Sequence, residues 1–286
     1  MGGGKTTPRT KEEMVVIPMW ADAALGTAAG LFSASCAAPF IMTVDKAVTE
    51  NSAGKSRLGA ALLRGLSDVF FRPHVMLSKL PFWMVAGVYG STYMAANCMD
   101  VVNERCLDRE SERTPMVAAG VKLVTVTAVN MVTGVAKDAA FAKMFGAGGA
   151  KPPPVPRLSL GLFAFRDCLT IAAAFTLPPL LAQQLTSSGA VDEKRANDAA
   201  QLLSPIGMQC ILTPIHLLAL NVYNMPGVAA SERATAILTV LPGSTAARMG
   251  RFGAAYGIGG LLNTTLTKQG REAVARHYGA PRLQAQ

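Results

Sequence analysis

The sequence predicts an all-α membrane protein of six transmembrane helices, organised as three pseudo-repeated helix pairs. Three observations predict it. Half of the 286 residues are hydrophobic and only 16% are charged, where soluble domains run nearer about a quarter charged. The apolar residues stand in long blocks of Ala, Leu, Val, Gly and Met rather than short alternating runs, which favours helices in a bilayer over a β protein. The charges collect between these blocks or at their ends.

The elements follow in chain order. Residues 1–18 carry Lys5, Arg9 and Lys11 but no apolar stretch before Pro18. They do not read as a cleavable signal, so targeting information is expected to be internal. Gly2 and Thr6 loosely fit an N-myristoylation pattern. The Gly-Gly-Gly-Lys-Thr-Thr run follows no strand and is not a phosphate loop. The first span covers Trp20–Val44 and ends at Asp45-Lys46. Residues 58–71 form a short amphipathic segment with Arg64 and Asp68 four apart; too charged to span, it is expected to lie at the membrane surface. Span two starts after Arg72-Pro73 and runs to Asp100, and span three runs from Pro115 to Ala136, ending at Lys137-Asp138. A Gly-rich and then Pro-rich connector follows, which cannot be helical through its prolines. Span four covers Leu158–Leu185, span five Ala199–Tyr223 and span six Thr245–Thr267. The stretch between the last two has room for another surface helix. The units are 19–105, 106–190 and 191–275, between a tail at 1–18 and a basic tail at 276–286.

The net charge of +9 does not point to nucleic acid, because no Lys/Arg run is interleaved with aromatics. The three long connectors carry more base than acid, and the two short loops more acid than base. That asymmetry places the long connectors on the matrix or cytoplasmic side. Cys36, Cys98, Cys106, Cys168 and Cys210 form no C-x-x-C pair, and His74, His216 and His277 are not spaced to join them, so no metal site is expected. No nucleophile elbow, triad or glycine-rich phosphate loop occurs. The chain reads as a non-enzyme without catalytic residues or cofactors.

Several ionisable residues remain to be explained. Asp45-Lys46 and Lys137-Asp138 occupy matching positions on spans one and three in reversed order, so Asp45 is placed to face Lys137, or Lys46 to face Asp138. Lys79, Arg166 and Arg248 lie inside spans, where an ionisable group is costly and marks a cavity or substrate role. Arg251 lies near Arg248, and Asp167 is beside Arg166 to satisfy it. Gly26-x-x-x-Gly30 and Gly253-x-x-x-Gly257 would let helices approach closely. Pro39 and Pro214 would kink spans one and five.

Three pairs of spans, each pair enclosing a long connector, resemble the mitochondrial carrier family over residues 18–275. Pro39 has the apolar-Pro-Phe context of that family, and RPHVMLSKLPFWMVAGVYGSTY, with Pro73, Lys79, Pro81, Gly87 and Tyr89, resembles its even-span opening. The family's odd-span Pro-x-acidic-x-x-basic signature is degenerate here. After Pro39 the two charge positions hold Ile41 and Val44; after Pro214 they hold His216 and Ala219; on span three Met131, Thr133 and Ala136 stand where proline and the two charges should. The resemblance implies a multi-pass protein of the mitochondrial inner membrane, in contact with lipid such as cardiolipin. With its gate charges displaced, it implies a transport-inactive accessory subunit bound to other subunits of a respiratory-chain or ATP-synthase complex. The alternative is a divergent carrier of a small anionic metabolite.

Overall fold

The computed structural model describes residues 17–106, 114–149, 151–187 and 192–277. Most of the N-terminal tail with its myristoylation pattern, the core of the acidic–basic loop at 107–113, and the C-terminal tail beyond His277 lie outside the described residues. The elements are α1 (Met19–Ser52), α2 (Leu58–Phe71), α3 (Pro73–Leu77), α4 (Leu80–Cys106), α5 (Thr114–Phe145), α6 (Arg157–Ser187), α7 (Glu193–Gly207), α8 (Gln209–Asn224), α9 (Ala230–Phe252), a π-helical stretch (Gly253–Gly260) and α10 (Leu261–His277). All regular structure among the described residues is helical.

Two helices run well past the span ends read from the sequence. The doublets Asp45-Lys46 and Lys137-Asp138 look like interfacial ends, yet α1 continues to Ser52 and α5 to Phe145. The reason is burial: Asp45, Lys137 and Asp138 are enclosed by neighbouring helices, so the polar–apolar boundary in the sequence is not a protein–water boundary. The Thr49 hydroxyl donates back to the Asp45 carbonyl at 2.8 Å, within the helix. α1 stops where Gly54 turns left-handed at φ +70°, a conformation that favours glycine. α5 stops at Gly146, whose amide still donates to the Ala142 carbonyl.

The connectors differ from one another. In the first, α2 is amphipathic and lies on α1: a Cβ added at Gly65 would come 2.4 Å from Thr43 Cγ2. Its other face leaves Leu63, Phe70 and Phe71 exposed. The Pro-rich stretch before α6 is non-helical, as proline requires. The third connector has no separate surface helix. α9 starts at Ala230 and continues unbroken into the π stretch and α10, because nothing between Ala230 and Phe252 except Pro242 interrupts helical bonding.

Three helical stretches among the described residues are long and apolar enough to cross a membrane: Met19–Ser52, Met116–Phe145 and Arg195–Asn224. α1 packs closely on α4. A Cβ at Gly26 would sit 2.9 Å from Asn97 Cβ, and one at Gly30 would sit 3.0 Å from Tyr93 Cβ and 3.1 Å from the Met94 amide. Ala37, Ala38, Ile41 and Met42 of α1 then form a core with Phe82 and Val85 of α4, Phe141 of α5 and Ala255. A second core joins Ala142, Phe163, Ala219, Leu220 and Tyr223 of α5, α6 and α8. Gly253 and Gly257 do not pack against another helix; a Cβ at either would meet nothing within 4 Å. They lie in the π stretch, whose wider turn changes which residues face α1. Gly259 takes that position, with the Tyr93 hydroxyl 2.6 Å and Ala37 Cβ 3.3 Å from its added Cβ. That hydroxyl donates to the Ala255 carbonyl at 2.9 Å.

The long helices alternate in direction. The C-terminal ends of α1, α5 and α8 meet at one end of the bundle, where Asn224 Nδ2 donates to Ser52 Oγ at 3.4 Å and the Ala147 amide donates to Asn224 Oδ1 at 3.0 Å. The start of α1 meets the ends of α4 and α10 at the other. Because Gly30 faces backbone, Gly30→Leu is expected to destabilise the detergent-solubilised protein by about 1–3 kcal/mol through overpacking. Gly257→Leu faces open space and is expected to change little. Thermal unfolding of both variants checks this.

Candidate functional site

Four helices contribute to one buried ionic cluster. Asp45 of α1 is its centre: Oδ2 accepts from Lys137 Nζ of α5 at 2.5 Å, and Oδ1 accepts from Arg251 Nη1 of α9 at 2.7 Å. Lys137 also reaches Asp138 Oδ1 at 2.7 Å. Asp138 Oδ2 accepts from Arg166 Nη2 of α6, and Arg166 contacts Asp167 Oδ1 at 2.8 Å. All six residues are buried, and the Phe141 ring lies 5.2 Å from Lys137 Nζ.

A polar wall lies on α8 and α9. Gln209, Thr213 and His216 recur at helical spacing on the buried face of α8, and Ser244, Arg248 and Arg251 do so on α9. Spacings of four and three put each trio on one side of its helix, and α8 packs on α9. Arg248 is 1% exposed. Its Nε donates to Gln209 Oε1 at 3.2 Å, while its Nη1 has no partner. His216 Nδ1 also lacks one, and its ring lies 5.5 Å from that of Phe163. Pro39 precedes Asp45 inside α1, and Pro214 precedes His216 inside α8. Each removes a backbone donor near the cluster; the Thr43 hydroxyl donates to the Pro39 carbonyl at 2.9 Å.

A second network closes the opposite end. Asp22, at the start of α1 and 2% exposed, accepts from Arg271 Nε of α10 at 2.7 Å and contacts Arg105 Nη2 of α4 at 3.3 Å. Glu104 adds a contact to Arg271 at 3.3 Å. Between the networks, Asn97 of α4 donates to the Gly26 carbonyl at 2.7 Å and to Asn263 Oδ1 at 2.9 Å. Along α1, Asp22 and Asp45 are about 35 Å apart at the α-helical rise, close to the thickness of a bilayer's hydrocarbon core.

Of the candidates read from the sequence, the structure brings together Asp45, Lys137, Asp138, Arg166 and Arg248, with Asp167 and Arg251. Two lie elsewhere. Lys46 pairs with Glu50 at 3.7 Å, one turn on, rather than with Asp138, and its ammonium lies 5.5 Å from the Phe145 ring. Lys79 is half-exposed and contacts Asp68 of α2 at 3.8 Å, so it belongs to the α2 surface rather than the cluster. Sequence reasoning missed Asp22, Arg105 and Arg271, which read as ordinary end charges. It also missed Gln209, Thr213 and Ser244, although their spacing from His216 and Arg248 is a signal.

The family model for a probable citrulline exporter matches residues 28–270, which include both ionic networks except Asp22 and Arg271. The chain belongs to this family. It is not a mitochondrial carrier. The charge positions after Pro39 and Pro214 are therefore not lost carrier gates; the buried charge pairs stand at other positions in a different family. The accessory-subunit role rests on the carrier resemblance and leaves with it; of the expected address, the membrane alone is supported. No curated protein and no solved structure matches the chain.

Removing one partner of a buried ion pair is costly, because the other charge is left in a low-dielectric interior. Asp45→Asn and Lys137→Met are each expected to destabilise the protein by about 3–5 kcal/mol. The double variant is expected to lose less than the sum, with a coupling of about 1–3 kcal/mol. A thermodynamic cycle from denaturant titration measures it, and additive losses would show that the pair is not coupled.

Proposed function

We propose that this chain is a multi-pass membrane exporter of citrulline or a close amino-acid analogue, working by alternating access between two ionic closures. The observation that carries the reading is the buried cluster on α1, α5, α6 and α9 in a chain of an exporter family. Buried ion pairs are poor stabilisers, and apolar residues of similar volume would hold four helices together as well. Charges kept inside a membrane protein mark pathways and switching elements.

The six rods are α1, α4, α5, α6, α7–α8, and α9 through α10, each crossing the bilayer. The positive-inside tendency puts the basic connectors, and so the Asp45 end, on the inner side. The Asp22 end then faces outward. α1 supplies the acceptor to both closures. A tilt of α1 together with α4 that draws Asp22 and Glu104 from Arg271 while keeping Asp45 on Lys137 and Arg251 opens the outer side alone; the opposite tilt opens the inner side. Ion pairs suit this work because they have two discrete arrangements, paired or solvated, and a bundle that swaps one for the other is bistable.

Export is tested with purified protein in liposomes loaded with radiolabelled L-citrulline. Wild-type protein should release label faster than protein-free vesicles. Asp22→Asn and Asp45→Asn should each slow release about tenfold or more, a coupling of the usual allosteric size. Release by the wild type no faster than by empty vesicles sinks the substrate assignment. Full activity in both variants sinks the closures.

A further inference from the structure

The cluster and its polar wall do not balance in charge. Three buried carboxylates, Asp45, Asp138 and Asp167, stand with four buried cations, Lys137, Arg166, Arg248 and Arg251. Lys137, Arg166 and Arg251 each contact a carboxylate. Arg248 contacts none among the described residues, although it is the largest fully buried side chain. A guanidinium stays charged in proteins, so this is a buried cation without a counter-ion, a costly arrangement unless something else supplies the charge.

Its surroundings are built for a ligand rather than for packing. The Gln209 amide oxygen takes Nε and so fixes the plane of the guanidinium, leaving Nη1 without a partner. α7, α8 and α9 pack on one another, and on them Ser204 Oγ, Thr213 Oγ1 and Ser244 Oγ are buried without hydrogen-bond partners, as is His216 Nδ1. Buried hydroxyls normally find a partner. Ser244 lies one turn before Arg248 on α9, and Thr213 one turn after Gln209 on α8, so these hydroxyls share the guanidinium's side of their helices; donors beside an unneutralised cation suit an anion with several lone pairs.

We infer that Arg248, oriented by Gln209, binds the carboxylate group of the exported amino acid, with hydroxyls of α7, α8 and α9 completing its hydrogen bonds. The inference deepens the exporter reading and rests on it. A carboxylate matches the planar guanidinium fork and supplies the missing negative charge. An ammonium group would be repelled by the excess cation, and a neutral group would leave the charge uncompensated. The substrate class is therefore a carboxylate-bearing solute, and the amine is not the primary handle.

Equilibrium binding to purified protein separates this from export. Three ligands are compared by thermal shift and radioligand competition: L-citrulline, its deaminated ureido acid and its decarboxylated ureido amine. L-citrulline and the ureido acid should both bind, and the ureido amine should compete about tenfold or more weakly, the loss expected for a charge-assisted hydrogen bond. Arg248→Gln should weaken both carboxylates by a similar factor. It should leave the ligand-free protein as stable as wild type or more so, because it removes an unpaired buried charge; a purely structural arginine would instead destabilise when replaced. Equal competition by the ureido amine, unchanged citrulline affinity in Arg248→Gln, or no binding of either carboxylate overturns the site. The ligand comparison holds even if the variant fails to fold. Liposomes that export citrulline while the amine competes equally retire the carboxylate site and keep the exporter. Binding of the ureido acid through Arg248 without citrulline export does the reverse.

Discussion

The Asp45 carboxylate shared by Lys137 and Arg251 is the interaction on which the rest of the structure depends. One side chain of α1 holds a helix from the middle of the chain and one from near its end. Asp138 and Arg166 extend the same chain of contacts to α6. Each charge taken out of water costs several kcal/mol, and the cost is offset only because every carboxylate in the chain contacts a cation. The pairing therefore fixes the relative positions of α1, α5, α6 and α9 more specifically than their apolar surfaces do.

α1 is the common member of both ends of the bundle. Its first turn carries Asp22 and its last third carries Asp45, and between them Gly26 and Gly30 bring it against α4. Close backbone packing ties α1 to α4, whereas ionic contacts join α1 to α5, α9 and α10. This division explains why the glycines lie in the first half of α1, beside α4, and why the contacts of Asp45 reach α5 and α9.

Much of the fold was legible in the sequence, and the reasons are physical. Long apolar blocks mark helices whatever they pack against, and proline in the second connector excludes a helix there. The amphipathic pattern of residues 58–71 survives as α2. Helix ends were less legible: Asp45-Lys46 and Lys137-Asp138 look like the water boundary, since a sequence does not distinguish a charge at an interface from one buried against a partner 92 positions away. The π stretch defeated the Gly253-x-x-x-Gly257 reading because that spacing assumes α-helical geometry. Of the candidate site, the possibility that Asp45 faces Lys137 could be read from matching positions on spans one and three. Arg248 stood out in the sequence as an ionisable residue inside a span, but its lack of a counter-ion did not, because an unpaired cation is recognised only when the partners of every other charge are known. The carrier resemblance took the repeat-like spacing of helix pairs as a family signature, and that spacing is a property any antiparallel membrane bundle can share.

The central claim is that the bundle opens and closes at its ionic ends while it transports. The most direct measurement uses the end where Asn224 meets Ser52. With native cysteines replaced, Ser52→Cys and Asn224→Cys are joined by a short, reducible thiol cross-linker in protein reconstituted with labelled L-citrulline. The account predicts that cross-linking stops citrulline release and that a reductant restores it. Undiminished release from fully cross-linked protein would contradict it.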